Sequence, residues 1–203
     1  MTEPFNPLDM ENLGKSIATQ LLVSDPTPLG AVPQFYGAGV YAIYYNGPME
    51  CYSTLLTADV HGAQVPIYVG KAVPAGGRRG IAVEHGTRSR ALSARLRTDH
   101  ARSVEAATNL DIADFTCRWL VVEPIWIPLG ESVLISRFTP VWNGLLDGFG
   151  NHDPGAGRRQ GVRSRWDTLH PGRAFAPLFP ERSETAEAIA ADVAEYLAQR
   201  YQV

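Results

Sequence analysis

Cysteine is nearly absent: the 203-residue chain has two, Cys51 and Cys117. Two cysteines build no disulfide framework and supply too few ligands for a structural zinc, so a reducing cytoplasmic location is expected. Long apolar runs are missing as well. None approaches the roughly 18 to 20 residues that span a bilayer, and the opening Met1-Thr2-Glu3-Pro4 has no basic region followed by an apolar one. Lysine is scarce, at 2 residues against 16 arginines. Arginine's planar fork suits phosphate and guanine, although GC-rich coding raises arginine too. No internal repeat is visible.

What is present suits one compact domain, with 45% hydrophobic residues. The net charge of -3 conceals a strong asymmetry. Lys71 to Arg173 holds 15 basic and 10 acidic residues, a balance of 15 - 10 = +5, and the flanks hold 3 and 11, or -8. A basic middle between acidic flanks is the footprint of a phosphate-binding surface.

Asn6-Pro7-Leu8-Asp9 reads as a helix start with Asn6 as cap, and Leu13, Ile17 and Leu21 carry a helical stripe to about Val23. This arm is expected to be a packing or dimer element. Gly39 to Tyr45 and Pro66 to Lys71 read as two strands of a hairpin with a long, partly helical connection. The glycines of Ala72 to Gly80 let backbone approach a ligand closely, but the Gly-Lys-Ser/Thr ending of a phosphate-cradling Walker loop is missing.

Ser89 to Glu105 has helical composition. Leu92, Leu96 and Val104 point inward, and Arg95, Arg97, Asp99, His100 and Arg102 read as a solvated face. Phe115 to Glu123 is a third strand. Gly130 to Phe138 is a helix ended by Pro140, with Glu131 in its first turn, where the helix dipole favours an anion. A Gly-rich tract from Asp147 leads into an ordered basic excursion with Arg158, Arg159, Arg163, Arg165 and Arg173. A final helix begins near Glu184, with Ile189, Val193 and Leu197 as its apolar stripe.

Gly39-Val40-Tyr41, Tyr68-Val69-Gly70, the Arg95/His100 helix, the Glu131 helix and Pro140-Val141-Trp142-Asn143 follow one another in an order that resembles the GIY-YIG nuclease domain over roughly residues 37 to 145. Pro66 to Gly76, Asp147 to His152, Trp166-Asp167 and His170 to Arg173 are similar to the type II restriction endonucleases of that group that cut the palindrome CCGCGG. The resemblance implies an α/β (α+β) GIY-YIG fold: a small, mainly antiparallel three-stranded sheet flanked by helices. Residues 1–36 form an N-terminal helical arm, 37–145 the catalytic core, and 146–203 a basic loop region with a C-terminal helix, all in one domain.

The resemblance also implies roles. Glu131 is the single carboxylate for a divalent metal, Mg²⁺ with Mn²⁺ as substitute. Arg95 clamps the scissile phosphate, Tyr41 faces the attacking water, Tyr68 positions phosphate or water, and Asn143 hydrogen-bonds within the site. A phenol with a pKa of about 10 is a poor base unless a cation assists, so Lys71, the metal or His100 must help, and His100 either takes the proton onward from Tyr41 or is itself the base. Arg78, Arg79, Arg158, Arg159, Arg163 and Arg165 are the candidate DNA contacts. A palindromic duplex implies a homodimer. The alternatives are a repair or homing nuclease of the same group, or a catalytically silent DNA-binding protein on the same scaffold.

One spacing departs from the pattern. The family places the helix arginine four residues before the histidine, and here Arg95 to His100 is five. On an ideal helix that turns His100 about 100° away. Either the helix ends before His100, or His100 is not the partner.

Overall fold

The computed structural model describes residues 6, 8–74, 89–153, 155 and 160–201. Four strands form one sheet in the order β1-β4-β2-β3, with every ladder antiparallel. β2 (Gly39–Tyr45) is its axis, bonded on one side to β3 (Tyr68–Ala72) and on the other to β4 (Phe115–Val121). All seven residues of β2 are buried, because helices and loops cover both faces of the sheet. Beyond the three expected strands, β1 (Thr27–Pro28) adds a two-residue edge against Cys117 and Thr116. Its proline sits at the sheet edge, where a missing N–H costs nothing.

The N-terminal helix runs Met10–Leu22 and is capped by Asp9, whose side chain accepts from the Glu11 amide. Asn6 is therefore not the cap; its side chain accepts from Leu8 inside the preceding turn. The helix crosses the Glu131 helix (Ile127–Phe138) very closely. A Cβ on Gly14 would lie 2.4 Å from Val133 Cγ2, and one on Gly130 2.8 Å from Ile17 Cγ2. Only glycine at both positions permits that approach.

The Glu131 helix starts at Ile127 with Pro128 in its first turn, three residues before the expected Gly130. Glu131 thus lies in the second turn, outside the range where an N-terminal dipole explains a carboxylate. Thr139, in a left-handed conformation at φ +43, ends this helix ahead of Pro140. The final helix spans Ala186–Tyr201 and buries Ile189, Val193 and Leu197. Its Tyr196 and Tyr201 hydroxyls donate to the carbonyls of Thr139 and Phe138, tying it to the end of the Glu131 helix.

After residue 160 the arginines turn inward although much of the chain between them is exposed. Arg173 is 4% exposed. Arg163 donates to the Ala176 carbonyl and pairs with Glu181, and Arg165 pairs with Asp192 and Glu184.

Candidate active site

The helix after the basic loop is continuous over 91–106 but not uniform. Ala91–Ala94 and Ala101–Ala106 are α-helical, and Arg95–His100 between them is a π-segment. A π-helix bonds residue i to i+5, so residue 100 is carried back over residue 95. The extra residue among Arg97, Thr98 and Asp99 is thereby absorbed, and the helix neither ends before His100 nor points it away. His100 is fully buried rather than on a solvated face. Leu92, Leu96 and Val104 are buried as well, as the apolar stripe predicts.

His100 Nε2 lies 2.6 Å from the Tyr41 hydroxyl at the centre of the sheet. The two rings sit 5.3 Å apart, and Tyr68 packs 5.3 Å from His100 and 6.2 Å from Tyr41. Gly70 is what makes room for them. It stands opposite Tyr41 in the β2–β3 register, and a Cβ there would lie 2.4 Å from Tyr41 Oη. The second glycine of the strand pair is thus a steric requirement of the first tyrosine.

Burial, with Tyr68 beside it, pushes the Tyr41 pKa well above its ordinary value, and Arg95 pulls it down. Burial drives the His100 pKa well below its own, aided by Arg95 and His152. Both groups are therefore neutral at rest and share one hydrogen bond between the Tyr41 hydroxyl and His100 Nε2. His100 Nδ1, on the other side of the ring, is buried and has no hydrogen-bond partner among the described residues.

Arg95 Nη1 donates to Asp99 at 2.9 Å and to His152 Nε2 at 3.4 Å. Tyr68 links the two ends of the site: its pKa is raised by burial, lowered by the Arg95 charge and raised by the Glu131 charge. Glu131 Oε2 accepts from Lys71 Nζ at 2.5 Å, and its side chain is 20% exposed. Asn143 sits in a short helix, Val141–Gly144, and clasps β3 on both sides. Its Nδ2 donates to the Val69 carbonyl and its Oδ1 accepts from the Val69 amide, each at 2.8 Å. It acts on the strand that carries Tyr68 and Lys71, one peptide away from the tyrosine.

Tyr41, Tyr68, Lys71, Arg95, His100, Glu131 and Asn143 therefore converge from two strands and three helices. Of the six arginines expected on DNA, Arg78, Arg79, Arg158 and Arg159 lie outside the described residues. Arg163 and Arg165 spend their guanidinium groups on internal partners. Sequence reasoning missed Phe149, whose ring stacks on His100 at 4.7 Å and meets Tyr68 at 4.9 Å. It lies in a motif, Asp147 to His152, that carried a resemblance and no role.

One part-exposed carboxylate suits a hard divalent ion that keeps most of its waters, and Lys71 must leave Glu131 for the ion to bind there. Among the described residues no three of His, Cys, Asp or Glu converge on a common point, Glu131 included. No helix among them is long and apolar enough to cross a membrane.

Curated proteins give no match to this chain. The family described as the Eco29kI GIY-YIG domain matches residues 33–197, which contain every site residue above. The chain belongs to that GIY-YIG restriction endonuclease family and is a site-specific deoxyribonuclease.

Proposed function

We propose that this nuclease is a type II restriction enzyme acting as a homodimer in the cytoplasm, hydrolysing both strands of a GC-rich palindrome, CCGCGG. One divalent ion, Mg²⁺ or Mn²⁺, serves each active site through Glu131. The observation that carries the chemistry is the π-segment, which keeps Arg95 in the cleft while setting His100 on the Tyr41 hydroxyl at 2.6 Å.

Tyr41 is the residue that meets the attacking water. Its phenol gives up its proton along the existing hydrogen bond to His100 Nε2 and takes one from the water as the new P–O bond forms. Arg95 leaves Asp99 for the scissile phosphate and neutralises charge growing on its oxygens. Lys71 shifts from Glu131 toward the same negative charge and favours ionised Tyr41. Tyr68 orients the phosphate, and Asn143 holds β3 in place beneath it. Glu131 would hold a divalent ion, whose chemistry when bound would be Lewis-acid stabilisation of the leaving oxygen. The palindrome calls for two such sites related by a twofold axis.

Incubating plasmid with the protein and Mg²⁺ tests the reading. Discrete fragments mapping to CCGCGG support it, and a smear or intact plasmid overturns it. Glu131→Ala is expected to abolish cleavage and keep duplex binding; retained cleavage removes Glu131 from the metal site.

A further inference from the structure

Behind the site, the turn 148–151 lies against His100 and is fastened from the interior. Arg173 is the fastener. Its Nε and Nη2 each donate to the Asp167 carboxylate at 2.6 Å, a paired fork with both side chains at most 5% exposed. The same guanidinium donates to the Gly148 carbonyl at 2.9 Å and the Asn151 carbonyl at 3.2 Å, gripping both ends of the turn. It is sandwiched by Trp166 at 4.6 Å and Phe175 at 4.8 Å. Ser164 completes the assembly by donating to Asp167 Oδ2 at 2.7 Å.

Between the two gripped carbonyls sit Phe149 and Gly150. Phe149 stacks nearly parallel on the His100 ring, at 20°. Gly150 has φ +75, and a Cβ there would approach His100 Cε1 to 2.8 Å and Arg95 Nη2 to 3.1 Å. The segment bearing Arg173 is itself docked on the end of the His100 helix: a Cβ on Gly172 would strike the Ala106 carbonyl at 1.8 Å. Pro171 accepts from the Thr108 amide just beyond. The fork, the turn and the histidine helix therefore form one closed loop of contacts.

We propose that Asp167 and Arg173 are positioning residues for the proton-accepting histidine: by gripping the carbonyls of Gly148 and Asn151 they press Phe149 onto His100 and hold Nε2 at Tyr41. The inference rests on the catalytic reading of His100 given above. A buried fork is suited to this, because bidentate geometry fixes direction as well as charge. The unpartnered Nδ1 explains the need, since among the described residues no hydrogen bond from that side orients the ring. The ionisable groups around His100 are Tyr41 and Tyr68 from the strands, Arg95 with Asp99 from its own helix, and His152 from the turn.

Arg173→Lys keeps a positive charge for Asp167, but an ammonium lacks the planar bidentate fork that fixes its direction against the carboxylate and both carbonyls. The free full-length protein is examined by nitrogen-15 NMR through the long-range couplings of the His100 ring. The natural protein is expected to keep one neutral tautomer as the pH falls through the usual histidine range. Arg173→Lys is expected to titrate nearer that range, and its single-turnover cleavage at saturating duplex to fall about 100-fold with duplex affinity retained. A folded Arg173→Lys with unchanged His100 signals and rate overturns the proposal. If that variant fails to fold, Phe149→Leu keeps the fork and removes the stack; the same shift is expected, and its absence overturns the proposal. His100→Ala cutting at the natural rate would instead remove the catalytic role, while the ring signals still decide whether the fork positions the histidine.

Discussion

Replacing Gly70 with alanine perturbs the site by a single methyl group. Its Cβ would sit 2.4 Å from Tyr41 Oη and 2.6 Å from Cζ, with Tyr68 Cε1 at 3.0 Å. Ordinary contact begins near 3.4 Å, so 3.4 - 2.4 leaves Tyr41 about 1.0 Å to move. The ring is fully buried between Tyr68 and His100, so the phenol must leave its 2.6 Å bond. Overpacking costs about 1–3 kcal/mol. Orphaning buried Nε2 adds about 1–3 kcal/mol. A total of about 4 kcal/mol lowers the urea midpoint by about 2 M at a slope of ~2 kcal/mol/M. Cleavage should fall further than stability requires, by about 100-fold for a misplacement of ~1 Å, measured at saturating DNA well below the unfolding transition. Gly161→Ala, with nothing within 4 Å of its Cβ, is the control and should match the natural protein. A Gly70→Ala protein with unchanged midpoint and rate would refute the steric account of the strand pair.

Acid should destabilise the fold through histidine. His170 is held neutral between the Tyr52 hydroxyl at Nε2 and Asn109 Oδ1 at Nδ1, and burial lowers its pKa to about 3. The unfolded chain binds that proton near pH 6.5, so stability is full above this value. It falls by up to ~1.4 kcal/mol per pH unit down to about pH 3. Urea unfolding at stepped pH checks this, and His170→Gln should flatten the slope by about that amount; an unchanged slope counts against it. Deleting Thr98 should convert the π-segment to plain α-helix, return Arg95 and the histidine to four-residue spacing and preserve cleavage; a dead but folded enzyme would show that the wider turn is itself needed. Asn143→Ala frees both polar groups of Val69 and should cost about 2 kcal/mol in thermal or urea unfolding while slowing cleavage; unaltered stability would deny the clasp.

The strands were legible because β-branched and aromatic residues bounded by glycine leave few alternatives, and β2 matches its expected limits. Motif order made the convergence of Tyr41, Arg95, Glu131 and Asn143 legible too. Helix starts were not, because Asp9 competes with Asn6 as cap, and Pro128 opens the Glu131 helix ahead of the glycine that looked like its boundary. The π-segment is invisible to a reading that assumes 3.6 residues per turn. What the arginines do after residue 160 depends on acids such as Asp192, 27 residues from Arg165, and no local pattern reveals such a pairing.

The stretch that matches the family begins at residue 33, whereas the helix that meets Glu131's helix at Gly14 and Gly130 ends at Leu22. The boundary of common ancestry and the mechanical boundary of the catalytic unit therefore differ. Trimming the protein to the residues that match the family would strip Val133 and Leu129 of their neighbour and free the rod that carries the Glu131 carboxylate. A segment without chemistry of its own thus serves as the bearing on which that rod is aligned.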